Sequence, residues 1–190
     1  LSEDVERVGE MRRMLGEDFP LMVDANMRWS VDQAIAAARA LAPHRPYWIE
    51  EPTIPDDIEG QARIVREGGA PIAAGENLHS LYEFRQLIAA QGVTFPEPDA
   101  ATLGGITAWM KVAALAEAYN LPVTSHGVHD IHVHLLAAVP NSSYLETHGF
   151  GLDRFMAEPL VLEDGEALAP NRPGLGITFD WKGLESVRAG

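Results

Sequence analysis

The 190-residue chain predicts an α/β fold, a parallel (β/α) barrel of which about six strands are present. Three observations carry this. Short apolar runs alternate with longer amphipathic segments at intervals of about 25 residues. Almost every apolar run ends on a residue able to do chemistry, as strands of a barrel do at the mouth. An open nucleotide-binding sheet would need a glycine-rich phosphate loop, and neither G-x-G-x-x-G nor a Walker pattern occurs.

In order, residues 2–15 read as a helix that enters the first strand through Gly16 and Pro20. Strands are expected over 21–24, 47–50, 71–76, 93–99, 121–126 and 143–146. Helices are expected between them, over 30–41, 58–67, 81–90, 106–119 and 130–139. Ser30 stands where an N-cap should, and Gly104-Gly105 open the fourth of these helices. From Phe150 the alternation gives way to Gly, Pro and short extended pieces. The expected organisation is therefore a partial barrel over 1–149 and an irregular C-terminal segment over 150–190.

Composition narrows the function. With 14 Lys+Arg against 28 Asp+Glu the net charge is −14, and no basic cluster could neutralise a phosphate backbone, so nucleic acid is not an expected partner. No apolar run approaches the ~18 residues of a membrane span, and residues 1–20 lack a basic start followed by an apolar stretch. The cytoplasm is the expected compartment. The absence of cysteine excludes disulfides, thiolate zinc sites and cysteine nucleophiles.

The predicted strands end on Asp24 (LMVDAN), Glu50 (YWIEEP), Glu76 (IAAGEN), Asp99 (FPEPDA), His126 (VTSHG) and Glu146 (SYLE), spaced 26, 26, 23, 27 and 20 apart. A single such carboxylate usually does no more than cap the following helix. Six on successive strands converge on one mouth. Asp24, Glu50 and Glu76 gathered there would repel one another without a cation, and Mg²⁺ suits a few carboxylates with positions left for water or substrate.

As an ordered set, VDAN, WIEEP, GEN, PDA…GG and SH, followed by a strand ending in Glu, resemble the motifs of the mandelate racemase subgroup of the enolase superfamily. The likeness runs from about Leu21 to Glu146, and the tail fits that family's last segment, which packs back toward its capping domain, more loosely. The resemblance implies that Asp24, Glu50 and Glu76 hold Mg²⁺. It implies that His126 paired with Asp99 is a general base, and that Glu146 hydrogen-bonds the developing oxyanion. Asn26 would lie beside metal or substrate. Glu51, the second glutamate of EEP, is expected just behind the metal ligands.

The chemistry fits these groups. Removing a proton α to a carboxylate puts a second negative charge on the same group, which a divalent cation offsets. Imidazole titrates near neutrality, and a carboxylate fixes its tautomer and raises its basicity. The HDIHVH run does not read as a zinc site, because i and i+2 on a helix do not share a face. His129, His132 and Asp130 are candidates for the pocket mouth, with helix packing or solvation the favoured reading and His129 the one assigned to substrate, and His134 is expected to be structural. Trp29, Trp48 and Trp109 are expected in the core or at the rim, and Arg28 on the surface.

Parts of the family pattern are not in these residues. The chain begins in the helix before the family's third barrel strand, so the capping domain and first two strands are absent. So is the Lys-x-Lys motif that supplies a base on the opposite face; the two lysines, Lys111 and Lys182, stand elsewhere. Acid-sugar dehydration needs that second base less than racemisation does. The expected activity is therefore an Mg²⁺-dependent acid-sugar dehydratase, with racemase or cycloisomerase as related outcomes on an acid sugar or 2-hydroxy acid. The alternative is a catalytically silent barrel fragment. Two open sheet edges imply a homo-oligomer or association with a segment that completes the barrel.

Overall fold

The structure, a computed structural model, describes residues 1–148 and 153–189. The expected boundary at 149/150 lies outside the described residues. Helix α1 (Ser2–Leu15) carries Glu3 and Asp4 in its first turn and Arg12 and Arg13 in its last, as the helix dipole favours. Its buried side chain is an arginine. Arg12 donates to four backbone carbonyls, those of Gly16 (2.8 Å), Phe19 (2.7 Å), His44 (2.9 Å) and Arg45 (3.0 Å), and so gathers the loops that lead into the first two strands.

Strands β1 (Met22–Asp24), β2 (Trp48–Glu50), β3 (Ile72–Ala74) and β4 (Phe95–Pro96) form a parallel sheet in that order, with Asp24 level with Glu50. Helices α2 (Val31–Leu41), α3 (Ile58–Gly68) and α4 (Leu81–Ala89) make the crossovers. Ser30 caps α2 through a reciprocal pair with Gln33, as its position predicted. After α5 (Ile106–Ala118), β5 (Val123–Ser125) pairs in parallel with β6 (Ser142–Leu145) across α6 (His129–Ala137).

Strand alternation sorts the apolar residues into two layers. Ile49 and Ile72 face outward against Ala34, Ile35, Ala38, Leu41 and Ile64 of α2 and α3. Phe84, Leu87, Trp109, Val112 and Leu135 continue that outer layer around α4, α5 and α6. Trp48, Ala73 and Phe95 face inward together with Met22. Tyr47 and Tyr144 stack edge-on against Trp48, closing an aromatic floor.

The structure shortens the expected fourth strand from 93–99 to Phe95–Pro96. The reason is in the sequence: Pro96 and Pro98 lack the N–H that a ladder needs. The same prolines leave β4 and β5 in separate sheets, a seam without a backbone ladder. Glu146 stands one residue beyond β6 rather than in it. The tail, expected to be irregular, holds an antiparallel hairpin of β7 (Val161–Glu163) and β8 (Glu166–Leu168). Asp164 and Gly165 turn it with φ of 53° and 82°, the conformation that an Asp-Gly hairpin turn adopts. A short helix α7 (Trp181–Glu185), capped by Asp180, follows. Among the described residues no helix is long and apolar enough to cross a membrane.

Candidate active site

The inward face that carries Met22, Trp48, Phe95 and Tyr144 carries, two residues further on, Asp24, Glu50, Glu97 and Glu146. Aromatic floor and acidic mouth are thus successive layers of the same strands. One carboxylate oxygen each from Glu50, Glu76 and Glu97 lies within 4.8 Å of the others. Asp24 stays outside this tight group. Its Oδ1 accepts the N–H of Asn26 at 2.7 Å, turning the carboxylate toward its own loop, and both residues are exposed.

Burial raises Glu50 to about 7, with the charges of Asp24, Glu146 and Glu76 adding to it and the Trp48 indole opposing it. Trp48 Nε1 donates to Glu50 Oε2 at 2.9 Å. Burial raises Glu76 as well, against the pull of His126. Glu97 is 1% exposed and is pushed well above the carboxylate range by burial and by Glu50. Its Oε2 has no hydrogen-bond partner. Sequence reading missed Glu97, although its place two residues before Asp99 on an inward-facing strand end was a usable signal.

Glu51 is buried beside this group. Its Oε1 accepts the Gly75 N–H at 2.8 Å and its Oε2 faces Asn77 Nδ2 at 3.5 Å; burial raises it to about 7. At Gly75, with φ of 137°, an added Cβ would stand 2.6 Å from Phe84 and 3.2 Å from the Glu97 backbone nitrogen.

His126 and Asp99 meet across the seam between β4 and β5, with Nδ1 and Oδ2 3.0 Å apart. Asp99 Oδ1 accepts the Ala101 N–H at 2.6 Å. These hydrogen bonds outweigh burial and hold Asp99 below its usual value. The bond to Asp99, opposed by burial and helped by Glu76 and Glu146, lifts His126 to about 9. Its Nε2 faces Glu76 Oε2 at 3.4 Å. Glu146 Oε2 accepts the Gly127 N–H at 2.8 Å and reaches within 4.8 Å of His126 and His148.

His129 is buried at the start of α6. Its Nδ1 accepts the His148 N–H at 3.2 Å, and its Nε2 stands 3.5 Å from Asp153 and 3.6 Å from Asp130. His132 is wholly buried, in keeping with a packing role, and His134 Nε2 meets the Leu175 carbonyl at 2.9 Å, tying α6 to the tail. Trp109 lies in the core as expected, whereas Trp48 touches the site directly through Glu50.

The donor set at the mouth is all hard oxygen, gathered from adjacent strands, with one buried oxygen lacking any partner; it fits Mg²⁺. The comparisons with known proteins point the same way. A family described as enolase C-terminal domain-like matches residues 1–183. The chain is 58% identical over 190 residues to the 3,6-anhydro-α-L-galactonate cycloisomerase of Streptomyces coelicolor, covering 100% of this chain and 53% of that protein. It is 40% identical over 178 residues to the L-talarate/galactarate dehydratase of Salmonella typhimurium, covering 94% of this chain and 44% of the relative. A crystal structure of a racemase from Streptomyces coelicolor with bound magnesium superimposes with a TM-score of 0.94 at 57% identity, over 97% of this chain and 51% of that one. The Salmonella dehydratase, with Mg and L-lyxarohydroxamate, superimposes with a TM-score of 0.91 at 38% identity, over 97% and 47%. The chain spans about half the length of these relatives. Strand-end carboxylates, a His–Asp pair and this extent of likeness agree: the chain belongs to the enolase superfamily, in its mandelate racemase subgroup.

Proposed function

We propose that these residues carry the enolate-forming half of an Mg²⁺-dependent enzyme acting on an acid sugar, with dehydration the favoured reaction and cycloisomerisation or racemisation its relatives. One observation carries it: the Asp99–His126 pair, 3.0 Å apart, stands beside Glu76 at 3.4 Å, so a base and a cation ligand face one small volume. In this reading Asp24, Glu50 and Glu76 hold Mg²⁺, which offsets the negative charge that builds on the substrate carboxylate. Asp99 accepts from Nδ1 and leaves Nε2 of His126 as the atom that takes the α-proton. Glu146 hydrogen-bonds the developing oxyanion. Asn26 and His129 contact the substrate.

Lys111 lies within helix α5 and Lys182 within α7, neither at a strand end, so in this reading a base on the opposite face comes from residues other than these lysines. We read the six parallel strands as part of a (β/α) barrel that is completed by association with a further segment or within a homo-oligomer. The enzymes named among the relatives do not favour a silent barrel. The test is turnover of an acid-sugar library by the protein containing this chain, with and without Mg²⁺ and with His126→Asn. Turnover is expected to require Mg²⁺ and to fall roughly 10²–10⁴-fold in the variant. Activity indifferent to both would sink the reading.

A further inference from the structure

The base pair of the proposed site is built across a gap. Asp99 follows β4 and His126 follows β5, and these strands share no backbone ladder. The relative placement of the two side chains must therefore come from other contacts. Two converge on the backbone around Asp99, from different helices. Trp109 of α5 donates from Nε1 to the Pro98 carbonyl at 2.9 Å. His132 of α6 accepts the Ala100 N–H on its Nε2 at 3.0 Å. The two rings lie 6.0 Å apart between centroids, so they form one packed block beneath the Pro98–Ala100 segment.

We propose that His132 is a positioning residue for the Asp99–His126 base, an imidazole acceptor that pins the Ala100 amide and so staples the end of β4 to α6 across the seam. The proposal rests on the reading of Asp99 and His126 as the base pair. The chemistry of the contact is directional. An N–H donor needs a lone pair, so Nε2 must be unprotonated and the ring proton must sit on Nδ1. That Nδ1 faces the Gly127 backbone without a full hydrogen bond. Gly127 directly follows His126, so one ring touches the backbone next to each member of the pair. The surroundings keep the ring neutral: it is fully buried, and burial, helped by His126 and His129 against Asp99, lowers it to about 4. Without the acceptor, the buried Ala100 N–H has no partner and the segment must shift to find one. A displacement of about 1 Å in a catalytic group costs on the order of 10²-fold in rate.

The test uses the full-length protein containing these residues. In ¹⁵N-labelled wild type, a scalar coupling across the hydrogen bond between the Ala100 amide and His132 Nε2, with the Nδ1–H tautomer, is expected. A doubly protonated ring, or no coupling, overturns the proposal without any variant having to fold. His132→Gln retains an acceptor on a side chain of similar reach, while His132→Phe retains the ring volume and loses the acceptor. On an acid-sugar substrate turned over by the wild type, kcat is expected to stay near wild type in the first. In the second it is expected to fall on the order of 10²-fold with KM and Mg²⁺ affinity unchanged. Equal kcat in the two variants overturns the proposal. Asp99→Asn separates the layers: if it turns over normally, the base-pair reading has failed, while the coupling still reports the staple.

Discussion

The carboxylate of Glu51 accepts the backbone N–H of Gly75 at 2.8 Å, fastening the loop after β2 to the residue that precedes Glu76. Two neighbouring strand ends, one just after Glu50 and one just before Glu76, are thereby held in register by a buried side chain. Glu51→Leu is expected to leave the Gly75 N–H without an acceptor and to cost about 1–3 kcal/mol of stability. Glu51→Gln retains an oxygen at the same reach and should lose less. Chemical denaturation of both variants, beside Mg²⁺ titration calorimetry, checks this; equal stability would show that the contact contributes nothing.

A second prediction concerns pH and the cation. Glu50 and Glu51 are both raised from 4.5 to about 7. Between those values the folded, cation-free protein binds protons that the unfolded chain has released, so stability falls as pH rises through that window. His126, raised from 6.5 to about 9, adds a contribution present below 6.5 and lost by about 9, in the same direction. Mg²⁺ needs the ionised carboxylates and replaces the lost protons. The rise in Tm on adding Mg²⁺ should therefore be larger at about pH 8 than at about pH 5.5. Thermal melts at the two pH values, with Mg²⁺ or with a chelator, decide it.

Trp48 offers a third. Its indole N–H, 2.9 Å from Glu50 Oε2, fixes the rotation of a carboxylate proposed to hold the cation. Trp48→Phe keeps most of the aromatic floor with Phe95 but removes that donor. Mg²⁺ affinity is expected to weaken roughly 10–100-fold, the usual effect of losing an outer hydrogen bond to a metal ligand. Calorimetry reads it directly, and an unchanged affinity would show that Glu50 is oriented by other means.

Arg12 gives a prediction far from the mouth. Its four carbonyl contacts, spread over residues 16 to 45, hold α1 against both loops that feed the first two strands. Arg12→Lys keeps the charge but cannot reproduce the planar fork. It is expected to destabilise by about 2–4 kcal/mol, close to Arg12→Ala, with Mg²⁺ affinity little altered. A lysine variant as stable as wild type would assign the effect to charge alone.

Much of this arrangement is legible in the sequence. Asp24, Glu50, Glu76, Asp99 and His126 stand at strand ends because a parallel sheet with crossovers places every such residue on one face, and spacing alone reveals it. What escaped depended on direction or distance. Glu97 was hidden by Asp99, two residues on and more familiar in role, although both belong to one inward face. Trp48 reads as a core or rim aromatic, and it is buried; its N–H to Glu50 follows from the same i, i+2 geometry. The Asp164-Gly165 hairpin had a local signal that composition obscured. Arg12 had none, since its partners lie up to 33 residues away and are backbone atoms. The division between β4 and β5 was latent in Pro96 and Pro98, whose missing donors end a ladder that apolar patterning would extend.

That division has an implication for how such a site can change. Glu50, Glu76, Glu97 and Asp99 follow strands of one hydrogen-bonded sheet; His126 and Glu146 follow strands of another. In the proposed reading, substitutions that re-aim His126 and Glu146 can therefore spread along β5 and β6 while the framework proposed to hold the ion keeps its register. Chemistry on this scaffold is then modular at the level of sheets, with its dividing line running between Asp99 and His126.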